Sequence, residues 1–137
     1  MKILVGYDGS AEAKRGLEWA ARLCGATPDS SITVISVAPA LEAAPPIRDA
    51  VDPTSDLGLH EAQVRQAATI LADAGVQAET IVKAGRPAEE ILDTAEEGNF
   101  DLIVVGHRGM GAARRFLMGS VCERVVRHAT RPVLAVP

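Results

Sequence analysis

Short apolar runs rich in Val and Ile alternate along this chain with longer stretches whose apolar residues recur every three or four positions. Continuous apolar runs mark strands buried on both faces, and the longer period marks amphipathic helices. Residues 2–8 (KILVGYD) read as the first strand. Ser10 is an N-cap for a helix in which Ala13, Leu17, Ala20 and Cys24 share one face until Gly25. Residues 31–38 (SITVISVA) form a second strand. Val64, Ala67 or Ala68, Leu71 and Ala74 mark a helix that stops at Gly75. Residues 76–84 alternate apolar and polar, as in a strand with one wetter face.

Pro87 suits the first turn of a third helix, and Glu89 and Glu90 suit its positive end. Ile91, Leu92 and Ala95 form its apolar side, and Gly98-Asn99 ends it. Residues 101–106 (DLIVVG) are a strand, residues 119–128 a helix with Val121, Cys122, Val125, Val126 and Ala129 on its stripe, and PVLAVP a fifth strand. The order β-α-β-α-β-α-β-α-β predicts a parallel sheet covered by helices on both faces, with right-handed crossovers. From Pro39 to about Asp56 runs an aperiodic stretch with four prolines, long for a connection and read as a lid or mobile loop.

Composition narrows the function. The 137 residues suit one domain, and 47% hydrophobic residues with only 3% aromatics imply a core of Val, Ile, Leu and Ala. A net charge of −4 argues against nucleic-acid or membrane-surface binding. No apolar run approaches the roughly 20 residues of a membrane span. Lys2 precedes only three apolar residues before Gly6, short of a signal sequence, so a soluble cytoplasmic protein is expected. Cys24 and Cys122 form no metal-like spacing with the three histidines and read as reduced packing residues.

In open α/β sheets ligands sit beyond the carboxyl ends of the strands, where the winding reverses. That points to Gly6, Tyr7 and Asp8 after the first strand and to residues from Gly106 onward after the fourth. The stretch VVGHRGMGAARRFLMGSV (104–121) is no Walker A loop, because Ala112-Ala113 stand where Lys-Ser/Thr belongs. The first strand runs into GYDGS rather than a dinucleotide fingerprint. A phospho-accepting receiver fails too, since Ala84-Gly85 end the third strand and no lysine follows the fifth.

A helix start at Gly119, Ser120 and Val121 remains, where backbone N–H groups and the helix dipole favour an anion. Ser120 adds a hydroxyl, and Gly106 and Gly109 allow close backbone approach. Arg108, Arg114 and Arg115 make residues 106–120 net positive. Arg114 and Arg115 read equally as a solvated pair, Gly111 as loop flexibility, and His107 as an exposed loop histidine. His128 suits its helix C-terminus. His60 and Trp19 carry no signal.

Gly106-x2-Gly109-x9-Gly119-Ser120 resembles the glycine pattern of the ATP-binding class of universal stress proteins, and the resemblance runs from ILVGYDGS to RPVLAVP. It implies one 1–137 domain, an adenine-nucleotide alpha-hydrolase-like α/β sandwich with strand order 3-2-1-4-5, pairing as a homodimer through its last strand. Gly109, Gly119, Ser120 and Val121 would take the phosphates of ATP, with Mg²⁺. Gly106 would lie against the ribose, with Val105 beside it. Asp8 would contact the adenosine, lined by Gly6 and Tyr7, and the backbone of Val37 would meet the adenine. The chain departs from the family at Cys122, where Ser, Thr or Ala is common, and at Tyr7, whose bulk narrows the expected site. The resemblance implies a nucleotide-dependent stress-response module. The alternatives are a slow ATPase, or a scaffold with a degenerate pocket or one for another adenine nucleotide such as cyclic AMP.

Overall fold

A computed structural model describes residues 1–39, 56–108 and 118–137. Nine elements alternate: β1 (Lys2–Gly6), α1 (Ala11–Ala26), β2 (Ser31–Pro39), α2 (Asp56–Asp73), β3 (Ala78–Gly85), α3 (Pro87–Glu97), β4 (Leu102–Gly106), α4 (Ser120–His128) and β5 (Val133–Val136). The strands form one parallel sheet in the order β3-β2-β1-β4-β5. The expected α/β sandwich and strand order are therefore observed.

Side-chain alternation along the buried strands divides the core in two. Ile3, Val5 and Tyr7 of β1 and its extension, with Ile32 and Val34 of β2, face Ala13, Leu17 and Ala20 of α1 and Val64, Ala67 and Leu71 of α2. Leu4, Ile35, Val37, Ile103 and Val105 point the other way, against Ala88, Ile91 and Ala95 of α3 and Cys122 and Val125 of α4. Aliphatic residues dominate both layers, as the scarcity of aromatics requires.

Local chemistry sets the element ends. Ser10 caps α1 by accepting the Ala13 N–H at 3.1 Å. Pro87 occupies the first turn of α3, with Glu89 and Glu90 beside it. β1 stops at Gly6, two residues before the sequence pattern suggests, because Asp8 turns back to accept the Ser10 N–H. α2 begins at Asp56, two turns before its apolar period starts, and its early Leu57 and Leu59 are exposed. Val126 corrects the expected α4 stripe. It is 46% exposed, since it lies about 100° round the helix from the fully buried Val125. Among the described residues no helix is long and apolar enough to cross a membrane.

Candidate functional site

β1 pairs with β2 on one side and β4 on the other, so the winding reverses at the β1–β4 seam. Beyond β1 the chain makes a tight turn. Tyr7 N–H still bonds to Ile35 C=O at 2.9 Å. Asp8 Oδ1 accepts the Ser10 N–H at 2.9 Å, and Gly9 adopts φ +82°, a conformation that disfavours any side chain. The turn hands the chain directly to the capped start of α1.

Two site glycines owe their identity to packing. A Cβ on Gly6 would stand 3.1 Å from Ile91 Cδ1 and 3.2 Å from Val105 Cγ1, so α3 closes over this position. A Cβ on Gly106 would stand 2.9 Å from Glu12 Cβ and 3.1 Å from Ala13 N. The first turn of α1 therefore rests on the end of β4, and this contact joins the two halves of the seam. Val37 and Val105 are buried in the α3–α4 layer.

The β4 side is held by its backbone. His107 N–H bonds to Val136 C=O at 2.6 Å, and Gly119 N–H bonds to His107 C=O at 2.8 Å. These bonds bring the start of α4 back to the end of β4. Gly119 is the N-cap, with φ −62° and ψ 152° and no side chain to bond the helix. Ser120 opens α4 and is exposed, and Val121 is half-buried. His107 is half-buried rather than exposed. Arg108 reaches Glu12, with Nη2 3.5 Å from Oε1, and Arg15 approaches the same oxygen at 3.7 Å.

The structure thus gathers Gly6, Tyr7, Asp8, Val105, Gly106, Gly119 and Ser120 at or beside the carboxyl ends of the inner strands β1 and β4, with Val37 near the end of β2. Gly109, Gly111, Arg114, Arg115 and residues 40–55 of the expected lid lie outside the described residues. Tyr7 is the exception in character. Only 3% exposed, its ring belongs to the α1–α2 layer and its hydroxyl donates to Gln66 Oε1 at 2.7 Å. Its bulk goes into the core rather than into the cleft edge. Burial, and then the Asp8 charge, push the Tyr7 phenol up, and burial pushes the Cys122 thiol up.

Sequence reasoning missed Ser36, His60 and Gln63. Ser36, 1% exposed, meets His60 Nδ1 at 2.5 Å and donates to Gln63 Oε1 at 3.0 Å, while Gln63 Nε2 donates to Asp8 C=O at 3.1 Å. A signal existed: His60, Gln63, Val64, Ala67 and Leu71 follow one helical stripe, whose polar first half continues the apolar second half.

Chemically, the carboxyl ends of β1 and β4 offer hydrogen-bond donors at the start of α4, a hydroxyl at Ser120 and a carboxylate at Asp8. Donors at a helix start suit an anion, and a carboxylate suits hydroxyl or amine donors. Among the described residues no three His, Cys, Asp or Glu side chains gather to hold a metal ion.

The universal stress protein family model matches residues 1–137. A universal stress protein of Thermus aquaticus is 36% identical over 140 residues, covering 98% of this chain and 96% of its own. One of Mycolicibacterium smegmatis is 32% identical over 143 residues, covering 98% of this chain but 47% of its own. The matched segments span less than half the length of the first four curated relatives. Among solved structures, universal stress protein UspA from Lactobacillus plantarum superposes with a TM-score of 0.80 at 25% identity, covering 100% of this chain and 97% of its own. Three others, at 24% identity and TM-scores of 0.74 to 0.78, share the fold. They are an Archaeoglobus fulgidus protein in complex with dAMP, a universal stress protein in complex with cAMP, and an Arabidopsis thaliana family protein with AMP bound. With a family model matched end to end and a near full-length relative at 36% identity, this chain belongs to the universal stress protein family.

Proposed function

We propose that this chain is an adenine-nucleotide-binding module of a cytoplasmic stress response, taking ATP with Mg²⁺ at the β1–β4 seam. The observation that carries the reading is the start of α4. Gly119 has a backbone conformation open to any residue, so local geometry does not require glycine there. A ligand passing close to the backbone does require it, and that ligand would be the phosphates, running past Gly119 and held by the N–H groups of Ser120 and Val121, the Ser120 hydroxyl and Gly109. Asp8 would accept from the nucleoside, with Gly6, Tyr7, Val105 and Gly106 around it and the Val37 backbone toward the adenine. Solved relatives holding dAMP, cAMP and AMP support an adenine nucleotide as the class of ligand. They also favour cyclic AMP as the second reading. Mg²⁺ would arrive on the nucleotide phosphates, as it commonly does.

Binding ranks above turnover here. Hydrolysis needs a positioned water and stabilisation of the transferring phosphoryl group. Among the described residues at the β1–β4 seam, none is assigned to the first task. β5 lies at the edge of the sheet, and pairing with a second copy would cover it as a homodimer.

Calorimetric titration with ATP and Mg²⁺, and separately with cyclic AMP, tests the reading on wild type and on Gly119→Ala. Alanine fits the φ and ψ observed, so the fold is kept while a methyl enters the phosphate path. ATP binding that is lost in the variant is the expected result. Equal binding in both refutes the phosphate assignment, and preference for cyclic AMP moves the site to the second reading.

A further inference from the structure

Gln63 lies over the Asp8–Gly9 turn: its Nε2 is 3.1 Å from Asp8 C=O and would be 3.5 Å from a Cβ on Gly9. This placement fixes the amide. With the group reversed, Oε1 would face another carbonyl oxygen, acceptor against acceptor. Oε1 therefore faces Ser36, 3.0 Å away, and it can only accept. The single hydroxyl proton of Ser36 goes to Gln63. At 2.5 Å from Ser36 Oγ, His60 Nδ1 then meets lone pairs and must carry the proton of that bond itself.

From this we infer that His60, Ser36 and Gln63 are positioning residues. They form a one-way hydrogen-bond chain, His60 Nδ1–H to Ser36 O–H to Gln63, ending on the Asp8 carbonyl, and it sets the turn that presents the Asp8 carboxylate to the nucleoside. The last step rests on the nucleotide reading above; the chain itself does not. Its direction is the same for a neutral or a cationic imidazole, since both supply Nδ1–H. It also excludes Ser36 as a nucleophile activated by His60, because the histidine donates to the hydroxyl rather than taking its proton. With Ser36 only 1% exposed, the chain is internal wiring and not a second reactive centre. A separate bond from the same helix, Tyr7 O–H to Gln66, ends in the core instead of on the turn. It provides a matched control.

The tautomer of His60 in the wild-type protein, read by long-range ¹H–¹⁵N NMR at about pH 8 where free imidazole is neutral, needs no variant. Protonated Nδ1 is expected, and a bare Nδ1 overturns the direction of the chain. Amide exchange and nucleotide titration on Gln63→Met and Gln66→Met test the rest. In Gln63→Met the Ser10 amide, which bonds to Asp8 Oδ1, should exchange about tenfold faster and nucleotide affinity should fall about tenfold. Gln66→Met should change neither. Equal effects from both variants, or none from either, refute the positioning role. If wild type binds no nucleotide while Ser10 exchange still responds only to Gln63→Met, the nucleotide reading falls and the chain's hold on the turn stands.

Discussion

Helices α1 and α4 both begin beyond strands that meet at the seam of the sheet, and they begin in opposite ways. At α1 the end is self-sufficient. Ser10 is buried, its Oγ accepts the Ala13 N–H, its own N–H goes to Asp8, and its carbonyl starts the helix by accepting Lys14 N–H at 3.0 Å. At α4 the cap is Gly119, which accepts Glu123 N–H through its carbonyl at 2.9 Å but brings no side-chain acceptor. Helix starts carry N–H groups that need acceptors, and Ser, Thr, Asp or Asn normally supply one. One helix start is thus built into the fold. The other has no capping side chain, and under the proposed function a phosphate would be its acceptor.

The comparison breaks most sharply if α4 is given a cap of its own. Gly119→Asp should hold or raise the melting temperature, because aspartate is a good N-cap. The same carboxylate should weaken ATP binding on the order of a hundredfold or more, since like charges brought together cost several kcal/mol. Thermal unfolding and calorimetry on one preparation check both halves, and an aspartate variant that binds ATP like wild type sinks the assignment of α4.

Next comes the contact that joins the two halves. In Gly106→Ala the new methyl meets Glu12 Cβ and the Ala13 backbone, so α1 must shift. A loss of about 1 to 3 kcal/mol in urea unfolding is expected, in the range for overpacked sites. No loss would mean that α1 rides loosely on β4.

A matched pair of serines gives a smaller contrast. Ser10→Ala removes a buried cap and should cost about 1 kcal/mol of stability. Ser120→Ala, at an exposed first helical residue, should leave stability within about 0.5 kcal/mol while weakening ATP binding. Unfolding curves and titrations on both variants should show these effects separately.

The smallest effect is alkaline. Tyr7 on the β1 side and Cys122 on the α4 side both have folded-state pKa values raised by burial. In the unfolded chain they ionise first, near their ordinary values of 10.0 and 9.0, so stability present below those values falls as pH rises through them. Denaturation midpoints measured upward from neutral pH should decline above about pH 9, and less steeply in Cys122→Ala.

The fold was legible wherever burial on both faces wrote a continuous apolar run. Residues 101–106 read as a strand for that reason, and β4 spans Leu102–Gly106; Ser10 read as a cap because its chemistry is local. Legibility failed where tertiary contact decided. The packing at Gly6 and Gly106 could not be read from sequence, because α3 and α1 fill the space where a Cβ would stand. Val126 looked like core because a valine pair does not say which member turns inward. His60 read as carrying no signal, and the ends of β1 and β2 supply partners for it and for Gln63 and Gln66. The helical stripe that places His60 and Gln63 beside the apolar face was there to be read, but it does not name the hydroxyl and carbonyl they meet. The helix start at Gly119-Ser120 was also readable, since a helix start without a capping side chain is a property of the sequence itself.

Under the proposed function, the turn after β1 and the start of α4 serve one ligand. Amide NMR shifts followed through an ATP and Mg²⁺ titration test it most directly. Resonances of Asp8, Gly9, Val37 and the run from Gly119 to Val121 should move together, with a single affinity. Shifts confined to one of these segments, or placed at the opposite end of the sheet, would contradict it.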